Sequence, residues 1–81
     1  MQDAKMVRMA NQIADYFAAY PAERAEREVT NHLRAFWEPR MRRQLVEYVQ
    51  AGGDGLHPLA VKAGRDLADP EEAPSASGTT R

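Results

Sequence analysis

The main corner predicted for this chain lies in the stretch His32-Leu33-Arg34-Ala35-Phe36-Trp37-Glu38-Pro39-Arg40-Met41-Arg42. Phe36 stands beside Trp37, the only tryptophan, and Pro39 follows two positions later. Proline fixes its own φ and biases the preceding residue away from helical backbone, so one helix should end here and another begin. Large aromatic side chains at such a corner indicate either a small core or a contact with a partner.

The two aromatic residues leave two interpretations open. Adjacent helix positions lie about 100° apart, so both side chains can close the core, or one can point outward and dock into a partner. The arginines of this region are Arg34, Arg40, Arg42 and Arg43. They can grip phosphate or carboxylate groups, meet an acidic patch on a protein, or form a solvated face balanced by Glu38 and Glu47.

Helical periodicity on both sides of the corner predicts four helices. They run from near Asp3, as N-cap, towards Pro21, from about Ala22 to Trp37, from about Pro39 to Ala51, and from roughly Pro58 to Ala68. Pro21 either ends the first helix or opens the second. The predicted inward stripes are Met6, Met9, Ala10, Ile13, Tyr16, Phe17 and Tyr20; then Ala25, Val29, Leu33 and Phe36, with Trp37 beside them; then Met41, Leu45, Tyr48 and Val49; then Leu59, Ala60, Ala63 and Leu67. The fold class is therefore all-α, a small bundle of three to four short helices. Gly64 is expected to weaken the last helix by about 1 kcal/mol relative to alanine.

A glycine-rich segment, Gly52-Gly53-Asp54-Gly55, follows the third helix. It lacks the Gly-Lys-Ser/Thr ending and the preceding strand of a phosphate-binding loop. Glycine adopts the left-handed conformation that helix ends need, so a helix stop and tight turn is the better interpretation. We therefore assign a structural turn to Gly52, Gly53, Gly55 and Pro58.

Eighty-one residues make at most one domain, here predicted as a helical part, residues 1–68, and a tail. Residues 69–81 contain no large apolar side chain. Such a segment cannot bury enough apolar surface to offset its ordering, so we predict that the tail is disordered.

Composition excludes several classes of site. There is no cysteine, so the chain cannot ligate iron–sulfur clusters through thiolates. The only histidines, His32 and His57, have no further ligands at metal-binding spacing, and the only serines, Ser75 and Ser77, lie in the predicted tail. A nucleic-acid-binding domain usually carries an excess of basic residues, so the net charge of −1 argues against a nucleic-acid partner. The short apolar runs predict no membrane span and no signal peptide.

Three blocks of the chain resemble the delta subunit of NAD-dependent formate dehydrogenase, of the cytoplasmic molybdenum- or tungsten-containing type. The blocks are Lys5-Met6-Val7-Arg8-Met9-Ala10-Asn11-Gln12-Ile13-Ala14 with Tyr16-Phe17, then His32 to Arg42 as quoted above, then Gly52-Gly53-Asp54-Gly55-Leu56-His57-Pro58-Leu59. Their order and spacing also match, over about residues 5–67. Little role is expected for His57.

The resemblance implies a non-catalytic accessory subunit that docks on the large catalytic alpha subunit, in a complex with beta and gamma subunits that oxidises formate and reduces NAD⁺. It places bis-molybdopterin guanine dinucleotide with molybdenum or tungsten, iron–sulfur clusters and FMN in the other subunits, and no cofactor here. The expected role is to support assembly, stability or molybdenum-cofactor insertion, in the cytoplasm, with no nucleic-acid or membrane partner.

Within this chain, the anchoring groups concentrate at the corner. The predicted partner interface is formed by Arg34, Phe36, Trp37, Pro39, Arg40, Met41 and Arg42. Two other functions remain open: a transient cofactor-insertion chaperone absent from the mature enzyme, and a small helical nucleic-acid-binding regulator. The missing catalytic motifs argue against an enzyme in its own right.

Overall fold

The computed structural model describes residues 2–68 as four α-helices joined by short connections. The helices are α1 (Asp3–Phe17), α2 (Ala22–Phe36), α3 (Pro39–Gln50) and α4 (Pro58–Ala68). No strand occurs within residues 2–68, and the predicted all-α bundle of three to four short helices is confirmed. The predicted disordered tail, residues 69–81, lies outside the described residues.

Prolines mark the start of three helices. Pro21 is the N-cap of α2, and Pro39 and Pro58 are the first residues of α3 and α4. A first-turn proline loses no hydrogen bond, because the first amides of a helix have no partner within it. The corner between α2 and α3 consists of Trp37 and Glu38, whose ψ angles of 142° and 150° are extended. Helix α2 therefore ends at Phe36, one residue earlier than predicted.

Glycines end α3, also one residue earlier than predicted. Gly52 and Gly53 have positive φ angles of 125° and 65°. The amide of Gly53 donates to the carbonyl of Tyr48 at 2.9 Å, and that of Gly52 donates to Val49 at 3.0 Å. This is the Schellman pattern, which satisfies two of the last carbonyls of a helix and needs a residue that tolerates left-handed backbone.

Small residues allow α4 to lie in the centre of the bundle, in contact with α1, α2 and α3. Ala60 and Ala63 are fully buried, and Gly64 faces α3. The buried apolar cluster comprises Met6, Ala10, Ala14, Val29, Leu33, Trp37, Leu45, Ala60 and Ala63. Helices with small side chains at their contacts approach more closely, and the larger Leu59 and Leu67 of α4 pack partly buried against this cluster.

The inward face of α1 differs from the predicted stripe. Met6, Ala10 and Ala14 are buried at a spacing of four residues, whereas Tyr16 is 70% exposed. Tyr16 is two positions from Ala14, a rotation of about 200°, so it points away from the bundle. Tyr20 follows the end of the helix and is also exposed, so the prediction that these two tyrosines line the core is wrong.

The predicted N-cap of α1 is also wrong. Gln2 occupies the N-cap position and its carbonyl accepts the amide of Met6 at 3.1 Å. Asp3 is the first helical residue, and its carboxylate accepts a 2.8 Å hydrogen bond from Gln44 of α3. A carboxylate in the first turn still complements the positive end of the helix dipole.

A buried polar contact joins α2 to α4. Thr30, the buried polar residue of the core, lies with its hydroxyl 3.4 Å from a carboxylate oxygen of Asp66. The other carboxylate oxygen accepts a 2.7 Å hydrogen bond from Lys62, one turn earlier on α4. This hydrogen bond and the negative charge of Asp66 raise the pKa of Lys62. Lys62 is therefore protonated at neutral pH, and Asp66 has partners on both sides.

Asn11 ties α1 to the glycine-rich turn. Its side-chain Nδ2 donates a 2.9 Å hydrogen bond to the carbonyl of Gly55, and its Oδ1 accepts a 2.8 Å hydrogen bond from the backbone amide of His57. The first and third blocks of the sequence, distant along the chain, thus meet through one side chain. Because both bonds satisfy backbone groups of the turn, Asn11 fixes the path of the chain into α4.

His57 caps the N-terminal end of α4, although little role was expected for it from the sequence. Its Nδ1 accepts the amide of Leu59 at 3.0 Å, which satisfies one of the unpaired amides at the start of the helix. Its Nε2 lies 3.6 Å from a carboxylate oxygen of Asp15 on α1. The imidazole therefore joins the start of α4 to α1.

Replacement of His57 by alanine is expected to lower the free energy of unfolding by about 1 kcal/mol, because the N-cap acceptor is lost. His57→Asn is the matched control, since asparagine is a preferred N-cap residue and keeps the backbone amide that binds Asn11. Urea denaturation monitored by circular dichroism measures both variants. An asparagine variant as unstable as the alanine variant would contradict the capping role.

Candidate interaction surface

The structure separates the two aromatic residues of the corner. Trp37 is 7% exposed and belongs to the core, whereas Phe36 is 73% exposed. The buried apolar residues of α2, Ala25, Val29 and Leu33, form a row with a spacing of four, and Trp37 continues it. Phe36 was predicted on the inward stripe; that assignment is wrong, because Phe36 belongs to the neighbouring row.

Arg42 closes the corner from α3. Its Nη1 donates to the carbonyls of Trp37 and of Arg34, the latter at 3.3 Å. Both carbonyls are at the end of α2, where no further helical amide is available. Arg42, predicted as a partner contact, therefore has a structural role within the chain.

The other predicted interface residues differ in their burial. Met41 packs partly buried against the core, and Pro39 begins α3. Arg34 and Arg40 are exposed. Of the predicted set, Phe36 is the exposed aromatic residue, while Trp37 supports the corner from inside. The partner interface itself remains a prediction, and its aromatic part now depends on Phe36.

Phe36 is one end of a continuous group of rings, which we call the aromatic surface: Tyr16, Phe17, Tyr20, His32 and Phe36. Ring centroids lie 4.7 Å apart between His32 and Phe36, and 6.1 Å apart between His32 and Phe17. Phe17 is 4.9 Å from Tyr16 in an edge-to-face arrangement and 5.9 Å from Tyr20 in a stacked one. These distances and angles are those of favourable ring pairs.

A shallow groove runs along this surface. It is lined by Gln12, Ile13, Tyr16, Phe17 and His32. At one edge, the guanidinium carbon of Arg24 lies 4.6 Å from the centroid of the Tyr20 ring, and Arg24 also pairs with Glu28 at 3.6 Å. The surface thus combines exposed aromatic area with a polar edge, as protein interfaces do.

Sequence reasoning missed Tyr16 and Tyr20 as surface residues, but a signal existed. Tyr16 continues a row of polar residues, Arg8 and Gln12, at a spacing of four. Phe36 continues a similar row that contains Arg24, Glu28 and His32. A row that begins with charged residues faces solvent, so an aromatic residue at its end is exposed.

Two kinds of feature are absent from the described residues: metal-holding groups and membrane-spanning helices. Within residues 2–68, no three His, Asp or Glu side chains come together to hold a metal ion. No helix in this part of the chain is both long enough and apolar enough to cross a membrane. The arrangement seen on the aromatic surface is suited to binding a protein through ring contacts.

Comparison with known families identifies the chain. The sequence profile of the NADH-dependent formate dehydrogenase delta subunit, FdsD, matches residues 5–63. The chain belongs to the FdsD family. The match extends from α1 into α4 and includes the whole aromatic surface and the corner. No curated protein and no solved structure matches the chain.

Membership of the FdsD family confirms the resemblance carried by the three sequence blocks. The structure gives two of these blocks a common physical role, because Asn11 of the first binds backbone groups of Gly55 and His57 in the third. The middle block forms the corner that Arg42 closes. The blocks that mark FdsD in this chain therefore include positions that hold its helices together.

Proposed function

We propose that this FdsD chain is a non-catalytic accessory subunit that docks through its aromatic surface on the catalytic alpha subunit of a formate dehydrogenase complex. The observation that carries the proposal is the exposure of Phe36 and Tyr16, 73% and 70%, in a chain whose family is a subunit family. Contiguous exposed aromatic area on a small protein is typical of a binding surface.

The energetics of a small chain support docking. A domain of this size buries only about 60% of the surface of its unfolded chain, so its own stability is limited. Binding of a partner to the folded form alone stabilises that form by mass action. The aromatic surface offers rigid side chains with little rotational entropy to lose, which favours affinity.

In this proposal the chain supports assembly, stability or molybdenum-cofactor insertion of a cytoplasmic complex that also has beta and gamma subunits. The molybdenum or tungsten centre, the iron–sulfur clusters and FMN belong to those other subunits. The chain has no cysteine and so offers no thiolate to a cluster. What its own residues supply is a folded surface that binds a protein.

The test is co-purification with the other subunits. The double variant Tyr16→Ala, Phe36→Ala is expected to weaken docking by at least about 2 kcal/mol, roughly thirtyfold, because both exposed rings are removed. Asn31→Ala is the matched control, since Asn31 is exposed on α2 and lies outside the aromatic surface. All variants are expressed with a tagged alpha subunit, and the retained chain is quantified.

Wild-type retention of the double variant would contradict the aromatic surface as the docking site. Absence of the wild-type chain from the purified active enzyme would contradict a resident subunit and favour the transient chaperone. The metal content of complexes formed with and without the chain separates its possible roles. Loss of metal with intact subunit composition indicates cofactor insertion, whereas loss of subunits indicates assembly.

A further inference from the structure

We propose that a groove between α3 and α4 binds an acidic segment of a partner subunit, which inserts an apolar side chain between arginines. This arginine groove is lined by Pro39, Arg42, Arg43, Val46, Leu67 and Ala68. It shares no residue with the aromatic surface, so it is a second contact. The inference rests on the proposed docking function and adds the chemistry of the segment that the groove recognises.

The positive charge of the groove favours an acidic ligand. Among residues 2–68, the lining contains two guanidinium groups and no carboxylate. In the same part of the chain, neither Arg42 nor Arg43 has a carboxylate within ion-pair distance. The acidic residues nearest to these arginines along the chain, Glu38 and Glu47, are not part of the lining. An acidic ligand would therefore supply charges that this part of the chain does not.

Arg42, one of the two cations of the groove, is already held in position by hydrogen bonds within the chain. Nη1 of Arg42 donates to the carbonyls of Arg34 and Trp37, and Arg42 is only partly exposed. A guanidinium has five donors, so donors remain for a carboxylate after these bonds form. A side chain that is ordered before binding loses less entropy when it binds.

The groove is also lined by apolar residues. Val46 and Leu67 are half-buried and line the groove together with Pro39 and the two arginines. A site that binds phosphate groups through charge alone gains nothing from apolar lining residues. A peptide that alternates acidic and apolar residues contacts both the arginines and the apolar lining residues. Arginine binds a carboxylate with two parallel hydrogen bonds, which adds direction to the contact.

The experiment measures binding of the full chain to the formate dehydrogenase complex prepared without it, at two salt concentrations. Arg43→Glu is expected to weaken binding about tenfold or more and to reduce its salt dependence, because an attractive contact becomes repulsive. Arg27→Glu is the matched control, since it makes the same charge change at an exposed position of α2 outside the groove. Val46→Asp is expected to weaken binding as well, because a negatively charged carboxylate replaces an apolar side chain that lines the groove.

The outcomes are distinct. Equal affinity of Arg43→Glu and the wild type, or an equal loss with Arg27→Glu, would overturn the arginine groove while leaving the proposed function intact. Failure of the wild-type chain to bind would overturn both. Removal of residues 69–81, which begin with acidic Asp69 directly after Ala68, tests the chain's own tail as the occupant. If Arg43→Glu weakens binding only while residues 69–81 are present, the tail is the occupant and the proposal is overturned. Competition by duplex DNA would overturn it as well.

Discussion

Replacement of Trp37 by alanine is expected to lower the free energy of unfolding by about 3–5 kcal/mol, the usual cost of removing a large buried aromatic side chain. Trp37 is 7% exposed and closes the core at the corner, next to Leu33 in the buried row of α2. Arg42 also donates to its carbonyl, so the side chain and the backbone of Trp37 are both fixed. A loss of this size is a large fraction of the stability of a small domain.

Phe36→Ala is the matched control for Trp37→Ala. It removes a neighbouring aromatic ring that is 73% exposed, and it is expected to change the free energy of unfolding by no more than about 0.5 kcal/mol. Thermal and urea denaturation of both variants measure the difference. Equal destabilisation by the two substitutions would contradict the division of the corner into a buried and an exposed side.

Replacement of Gly64 by valine is expected to destabilise the chain by about 3 kcal/mol, at the upper end of the usual range for overpacking. A Cβ built on Gly64 lies 2.6 Å from Cγ2 and 3.3 Å from Cβ of Val49, and 3.6 Å from Cγ of Leu45. Val49 is stiff because it is β-branched, so α4 must move away from α3. The added branch of valine increases this displacement.

Gly64→Ala provides a test of sign. Helix propensity alone predicts that it stabilises α4 by about 1 kcal/mol, whereas the contact with Val49 predicts a net loss. The double variant Gly64→Ala, Val49→Ala removes the 2.6 Å contact and is expected to recover most of the cost specific to Gly64→Ala. Stabilisation by Gly64→Ala in the wild-type background would show that α3 and α4 have room for a side chain there.

Most helix boundaries were predicted well because their causes are local. Pro39, Pro58 and the Gly52–Gly53 pair act on their own backbone and their immediate neighbours, and the ends of α2 and α3 differ from the prediction by one residue. The exception is α1, which ends at Phe17 and not next to Pro21, because Pro21 caps α2. The family could likewise be identified from three short blocks. Neither inference requires knowledge of which helices contact each other.

The candidate site was only partly predictable. Phe36 was singled out from the sequence, but Tyr16 and Tyr20 were assigned to the core, and the hydrogen bonds of Arg42 to the end of α2 were not predicted. A stripe of apolar residues on a helix is wider than the strip that its neighbours cover. Which edge of the stripe is left exposed depends on where the other helices cross it.

Four helices, their breaks and a subunit family follow from the sequence alone, because prolines, glycines and helical periodicity act over a few residues. The packing of the helices is what buries Trp37 and exposes Phe36, places Arg42 against the end of α2, and brings Val49 close to Gly64. These properties depend on the distance and angle between helices that are far apart in the chain. Packing many side chains at once sets that geometry, and no short stretch of sequence contains it.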